Sequence, residues 1–148
     1  KNILKSIFKN IGIQVKDKKI NNYHLSTNSN FKIEINYKFG NTCIKVEEYG
    51  NDFIDRVQKK LKSLIGKNIK TVYIDLPLHN PHTKVVIEDL NKLGFLFSGL
   101  MPIFYKEKDY LRLQKVSGKL EIQHISLLSD ISKKIKRQIQ KDILWITK

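Results

Sequence analysis

The sequence predicts an α/β fold built on a mixed sheet, and three observations lead there. Thr71 to Gln114 reads as strand, helix, strand, strand, with a chemical reason at each boundary. Ahead of it, Phe31, Ile33, Ile35 and Tyr37 alternate with Lys32, Glu34, Asn36 and Lys38, the period of a half-buried strand. Between the two, Phe53, Ile54, Val57, Leu61, Leu64 and Ile65 form one apolar stripe at helical spacing. A hairpin followed by crossover helices needs parallel and antiparallel pairings in one sheet.

Taken in order, Lys1 to Asn10 places Ile3, Leu4, Ile7 and Phe8 on one helical face, and Gly12 stops it. Gln14 to Asn30 is polar, with room for a short strand around Tyr23 to Leu25. The alternating strand follows. Gly40-Asn41 makes a turn, and Thr42 to Glu48 returns as the second arm of a hairpin. Asn51 is suited to cap the next helix, with Asp52 in its first turn, and Gly66 closes it.

Thr71-Val72-Tyr73-Ile74 has the composition of a buried central strand. Asn80 stands where an N-cap belongs and Pro81 where the first helical residue belongs. Val85, Val86, Leu90 and Leu93 mark the inner face of that helix, and Gly94 ends it as a residue that tolerates positive φ. Phe95 to Tyr105 and Tyr110 to Val116 are strands joined by a charged turn. Ser117-Gly118 turns the chain into Lys119 to Ile125, a last strand or extended arm. Ser129 caps a C-terminal amphipathic helix with Ile131, Ile135, Ile139 and Ile143 at four-residue spacing.

The 148 residues suffice for one domain with its own core, and we expect 1–148 to be one. The chain opens on Lys rather than Met, so we expect a C-terminal fragment of a longer protein. No apolar run is long enough to span a bilayer and no signal peptide is visible. With a lone Cys43, which excludes an internal disulfide, this predicts a cytoplasmic location. His24, His79, His82 and His124 show no metal spacing, so no metal site is expected.

The net charge of +14 raises the question of nucleic acid. Only three of the 28 Lys and Arg residues are Arg, leaving 25 Lys, and Arg is the residue suited to bidentate phosphate and base contacts. The chain has no Ala and is rich in Lys, Ile and Asn, the pattern of an A/T-rich coding sequence. A solvated basic surface explains the lysines without a nucleic-acid partner.

The organising stretch also resembles a known family. Strand, Asn80 at the strand end, helix, then Leu93-Gly94-Phe95 and an apolar strand are similar to the second half of the GNAT N-acyltransferase fold. Asp75-Leu76-Pro77-Leu78, Asn80-Pro81, Gly99 to Pro102 and Asp109 to Gln114 look closest to one branch. That branch is the GNAT-like C-terminal region of bacterial proteins carrying an anti-sigma-type, serine-kinase-like ATPase. The resemblance implies a GNAT-like mixed central sheet flanked by helices. It also implies an acyl-CoA site where two central strands splay apart.

In that family the pyrophosphate rests on a loop of sequence Gln or Arg, two residues, Gly, one residue, Gly or Ala. Here the junction reads Glu47-Glu48-Tyr49-Gly50-Asn51-Asp52-Phe53, with one glycine and three carboxylates. Tyr49, Gly50, Asn51 and Asn80 are the candidate cofactor residues, although a capped turn and an N-cap explain them as well. The family's acid is a Tyr four residues before the Gly of its Gly-Phe pair. That position is Leu90, which has no proton to give. Glu47 and Glu48 are the candidate general bases. The expectation is therefore a degenerate GNAT-like domain with no cofactor, acting as a sensing or protein-interaction module for another domain of its chain or a regulatory protein. The alternatives are a divergent acyl-CoA-dependent N-acyltransferase, binding acetyl-CoA or another acyl-CoA, and a Lys-rich polyanion-binding module.

Overall fold

A computed structural model of the chain describes residues 25–118 and 121–146. Of these, 25–118 form one compact unit and 121–146 belong to a second. The expected helix at Lys1 to Asn10 lies outside the described residues. So does most of the expected strand at Tyr23 to Leu25, and Leu25 itself is not in a strand.

The larger unit is a five-stranded sheet of β1 (Asn30–Asn36), β2 (Asn41–Glu48), β3 (Thr71–Pro77), β4 (Leu96–Tyr105) and β5 (Lys108–Val116). The spatial order is β1-β2-β3-β5-β4. β2 and β3 are parallel, and every other neighbouring pair is antiparallel. A parallel pair needs a crossover, and α1 (Phe53–Ser63) supplies it. α2 (Thr83–Lys92) links β3 to β4 and lies against α1.

β3 is the central strand that its composition predicts. Val72, Ile74 and Leu76 are buried on one face, in register with Thr42 and Ile44 of β2 and with Leu111 and Leu113 of β5. Phe53 of α1 meets Phe31 of β1 edge-on at 6.3 Å, so α1 covers this apolar face. Phe53, Val57, Val86 and Leu90 are all buried, each large side chain contributing on the order of 1.5–3 kcal/mol by leaving water. The opposite face carries Cys43, Lys45 and Glu47 of β2, Tyr73 and Asp75 of β3, and Tyr110 and Arg112 of β5.

Several boundaries differ from expectation. Asn51 does not cap α1: the helix starts at Phe53 and its flanking residue is Asp52, whose side chain makes no cap bond. The helix ends at Ser63, so Ile65 is 80% exposed and Gly66 lies beyond the end. Regular helix in α2 begins at Thr83, two residues after Pro81. Asn80 still serves the start, because its Oδ1 accepts the His82 amide at 2.9 Å. The intervening residues close tighter turns, with Thr83 and Lys84 amides donating to the carbonyls of Asn80 and Pro81. Val85 is 46% exposed and not on the inner face. Tyr37 lies in the β1–β2 turn, and the exposed Ile33 shows that edge strand β1 buries its apolar face only partly. Residues 121–125 contain no strand.

Two ends follow the sequence closely. Gly94 has φ +88, with Phe95 N–H donating to Leu90 O and Gly94 N–H to Asn91 O, the paired bonds of a glycine-terminated helix. In the second unit, Ser129 Oγ accepts the Ser132 amide at 3.2 Å at the start of α3 (Asp130–Ile146).

Candidate functional site

The central parallel strands part. Their pairing runs from Asn41 opposite Thr71 to Lys45 opposite Asp75. Beyond it, β2 continues to Glu48 paired with Asn30 of β1, while β3 continues to Pro77 paired with Tyr110 of β5. Each strand thus keeps its outer neighbour and loses its inner one.

Tyr49 fills the mouth of this fork. Its hydroxyl lies 2.8 Å from Thr83 Oγ1, and Thr83 Oγ1 donates to Pro77 O at 2.6 Å. With the threonine hydrogen so committed, the tyrosine is the donor in the first bond. Its ring packs on Phe53 at 5.0 Å and His82 at 5.5 Å. Burial pushes the Tyr49 phenol well above its ordinary pKa, against the opposing pull of the Thr83 hydrogen bond, so it stays protonated. Burial likewise lowers the pKa of His82.

The junction after β2 is occupied by the chain itself. Ser26 bridges Gly50 in parallel, and the Asn51 amide donates to Ser26 O at 2.9 Å. The Gly50 amide donates to Ser29 Oγ at 2.9 Å. Asp52 turns away from the helix and accepts both the amide and the hydroxyl of Ser29, each at 2.7 Å. The Ser29 hydroxyl bond comes first in holding the Asp52 carboxyl below the usual range, with the Ser29 amide and Arg56 assisting. Arg56 donates to the Ser29 carbonyl. A Cβ on Gly50 would stand 2.4 Å from the Asn28 carbonyl carbon, so residues 26–29 lie flat against the glycine. Three of the candidate cofactor residues, Tyr49, Gly50 and Asn51, therefore sit together, with the Tyr49 hydroxyl and the Gly50 and Asn51 amides engaged. Asn80, 9% exposed, is turned to its own helix start.

Of the two candidate bases, Glu48 is exposed at the end of β2. Glu47 lies on the sheet face opposite α1. Tyr105 donates to its Oε1 at 2.8 Å, Asn30 Nδ2 donates to its Oε2 at 3.2 Å, and Lys32 and Lys106 stand 3.7 and 3.6 Å away. The Tyr105 hydroxyl, backed by those ammonium groups, holds the Glu47 carboxyl below its usual range. A carboxylate stabilised in its charged form takes a proton less readily, which weakens it as a base.

The same face carries a cluster that sequence reading did not single out. Arg112 Nε and Nη2 donate to Asp75 Oδ1 and Oδ2 at 2.7 and 2.8 Å, and Cys43 Sγ donates to Asp75 Oδ2 at 3.3 Å. Asp75 is fully buried. Burial, then Asp75, pushes the Cys43 thiol up to about 12. The available signal was one carboxylate inside an apolar strand, because buried charges are almost always paired.

Among the described residues, no group of three or more His, Cys, Asp or Glu is placed to hold a metal. No described helix is long and apolar enough to cross a membrane. No family model and no curated protein matches this chain.

Proposed function

We propose that this chain is a GNAT-like domain that has lost standard acyl-CoA chemistry and works as a sensing or protein-interaction module. The strand order supports the fold assignment, since its one parallel pair lies inside the sheet and parts towards the strand ends. In the same reading, the isoleucines of α3 make it an amphipathic C-terminal helix.

The observation that carries the functional reading is the use of the Gly50 and Asn51 amides. A pyrophosphate cradle needs backbone N–H groups aimed at the ligand. Here those two amides go to Ser29 Oγ and Ser26 O. Asp52 adds a carboxylate beside them, repelling a phosphate at contact distance by about 1 kcal/mol in bulk water and several at lower dielectric. Leu90, fully buried, stands where the resemblance implies the acid.

Calorimetry with acetyl-CoA tests this. We expect no binding tighter than roughly millimolar, about −4 kcal/mol, and no acetyl transfer to simple amines. Micromolar binding to the unaltered chain would sink the reading. Transfer that is lost in Glu47→Gln would replace it with a divergent N-acyltransferase using Glu47 as base.

A further inference from the structure

On the sheet face opposite α1, aromatic rings and cations alternate. The Arg112 guanidinium lies 5.1 Å from the Tyr73 ring centre and 5.8 Å from that of Phe104. Lys45 Nζ lies 5.3 Å from the Phe104 centre and 4.7 Å from that of Tyr105. Lys106 and Lys32 lie 5.2 and 5.6 Å from the Tyr105 centre. Ring quadrupoles hold cations over their faces, so these charged groups are preorganised.

The charges do not balance. Four of the face's cations meet only two carboxylates, and Glu34, in register with Cys43 on the same face, pairs with none of them among the described residues. Asp75 is taken by Arg112, and Glu47 is met by Lys32 and Lys106. Lys45 has no carboxylate within ion-pair distance among the described residues. It also stands directly opposite Lys32 in the β1–β2 register, a like-charge pairing that weakens a sheet. An anion seated between the two strands would relieve that repulsion.

The backbone beside this cluster is strained in a way that exposes apolar surface. Between Met101, paired with Tyr110, and Tyr105, paired with Lys108, β4 has three residues where β5 has one. Ile103, a β-branched residue, takes φ +50 there, with its amide held by Asp109 Oδ1 at 2.9 Å. The bulge leaves Ile103 73% exposed and Phe104 43% exposed. Strain of this kind concentrates at binding sites.

We propose that this face, from Phe104 across Lys45 to Tyr105 and Lys106, binds single-stranded nucleic acid. The lysines meet phosphates, and the exposed Phe104 ring offers a base a surface on which to stack. A nucleotide chain carries one planar ring and one charge per unit, matching the alternation on this face. An acidic peptide supplies the charge without the rings. The site needs no base-reading Arg, so the scarcity of that residue is no obstacle to binding without sequence preference. The inference does not depend on the fate of the acyl-CoA site.

The test is anisotropy titration of a labelled short oligothymidylate with the intact chain at several salt concentrations. Lys45→Gln with Lys106→Gln should weaken binding about tenfold or more, and lower the slope of log affinity against log salt by roughly 1.4, at about 0.7 per phosphate contact. Phe104→Ala should weaken binding several-fold and leave that slope unchanged. Lys59→Gln with Lys62→Gln, on exposed positions of α1, removes equal charge elsewhere and should change affinity less than about twofold. Melting curves confirm that each variant is folded. The proposal is overturned if the α1 pair costs as much as the Lys45 and Lys106 pair, since a diffuse basic surface then suffices. It is equally overturned by absence of binding at low salt, by an inert Phe104→Ala, or by polyglutamate competing as well as unlabelled oligothymidylate.

Discussion

Asp75 and Arg112 face each other across neighbouring strands β3 and β5, joined by two near-parallel hydrogen bonds of 2.7 and 2.8 Å. The carboxylate is fully buried and the Arg112 side chain is 29% exposed. Removing the cation strands a charge away from water, the costly way to break such a pair. Arg112→Met should destabilise the fold by about 2–3 kcal/mol, below the range for fully buried pairs because Arg112 keeps some solvent. Asp75→Asn combined with Arg112→Met should cost less than the sum of the single changes. Chemical denaturation of the four proteins measures this coupling, and additive costs would mean that the pair acts as two independent side chains.

Cys43 lies beside that carboxylate, and burial with Asp75 raises its thiol to about 12. The thiolate is the reactive form. Near pH 8 its population, and so the alkylation rate, should be roughly a thousandfold below that of an ordinary cysteine. Asp75→Asn should speed alkylation while the protein remains folded, although not to the free-thiol rate, since burial is the larger cause. Iodoacetamide kinetics on native protein give the comparison. A rate equal to that of a free thiol in the unaltered chain would contradict the arrangement.

The pH dependence of stability has a defined sign. Glu47 and Asp52 have folded-state pKa values below their ordinary 4.5 and 3.8. Above the ordinary values both are ionised in either state and their contribution is complete. As pH falls, the unfolded chain takes up protons first, so stability drops until the folded values are passed. On the alkaline side, Tyr49 and Cys43 are raised, and stability falls as pH climbs past their ordinary 10.0 and 9.0. Melting temperature should therefore decline below about pH 4.5 and again above about pH 9–10. Glu47→Gln should flatten the acid limb and leave the Tyr49 and Cys43 contributions to the alkaline limb in place, because Glu47 is not among the causes of their shifts.

What the sequence revealed depended on whether the cause was local. β3, the Gly94 helix end and the Ser129 cap rest on residues within a few positions of each other, and all three are where the pattern puts them. Asn51 failed as a cap because Asp52 found partners in Ser29, 23 residues away, and no local pattern contains that contact. The β4–β5 turn carried no Asn-Gly signal. Lys106 and Glu107 take φ 50 and 56 there, which the pairing of two strands enforces. The candidate residues around Tyr49 were found from a resemblance, but their engagement by residues 26–29 was not legible. The Cys43, Asp75 and Arg112 cluster joins three strands and needed the sheet register to appear.

Gly94 tests a local cause. At φ +88 any side chain is strained, and a Cβ would stand 2.6 Å from Lys115 Nζ, which donates to Leu93 O at 2.7 Å. The lysine tip is flexible and moves at small cost, but the backbone term remains. Gly94→Ala should lower stability by about 1 kcal/mol net, after the entropic benefit of removing a glycine. An unchanged or higher melting temperature would mean that the helix does not end in this conformation.

Gly50 tests the engagement of the junction by residues 26–29. Its φ is not the issue; the space is. An added Cβ would lie 2.4 Å from Asn28 C and 2.5 Å from Ser29 N, and both are backbone atoms. No rotamer change relieves contacts of that kind, so the segment must shift away from the junction. Overpacking of this order costs typically 1–3 kcal/mol. The shift would also break the bonds from the Gly50 and Asn51 amides to Ser29 and Ser26. Gly50→Ala should therefore be destabilised by about 1–3 kcal/mol, and hydrogen exchange at Asn51 should quicken more than exchange in β3. Uniform acceleration throughout the sheet would indicate a general loss of stability, with no particular release of the segment. Unaltered exchange at Asn51 would mean that residues 26–29 do not hold this junction.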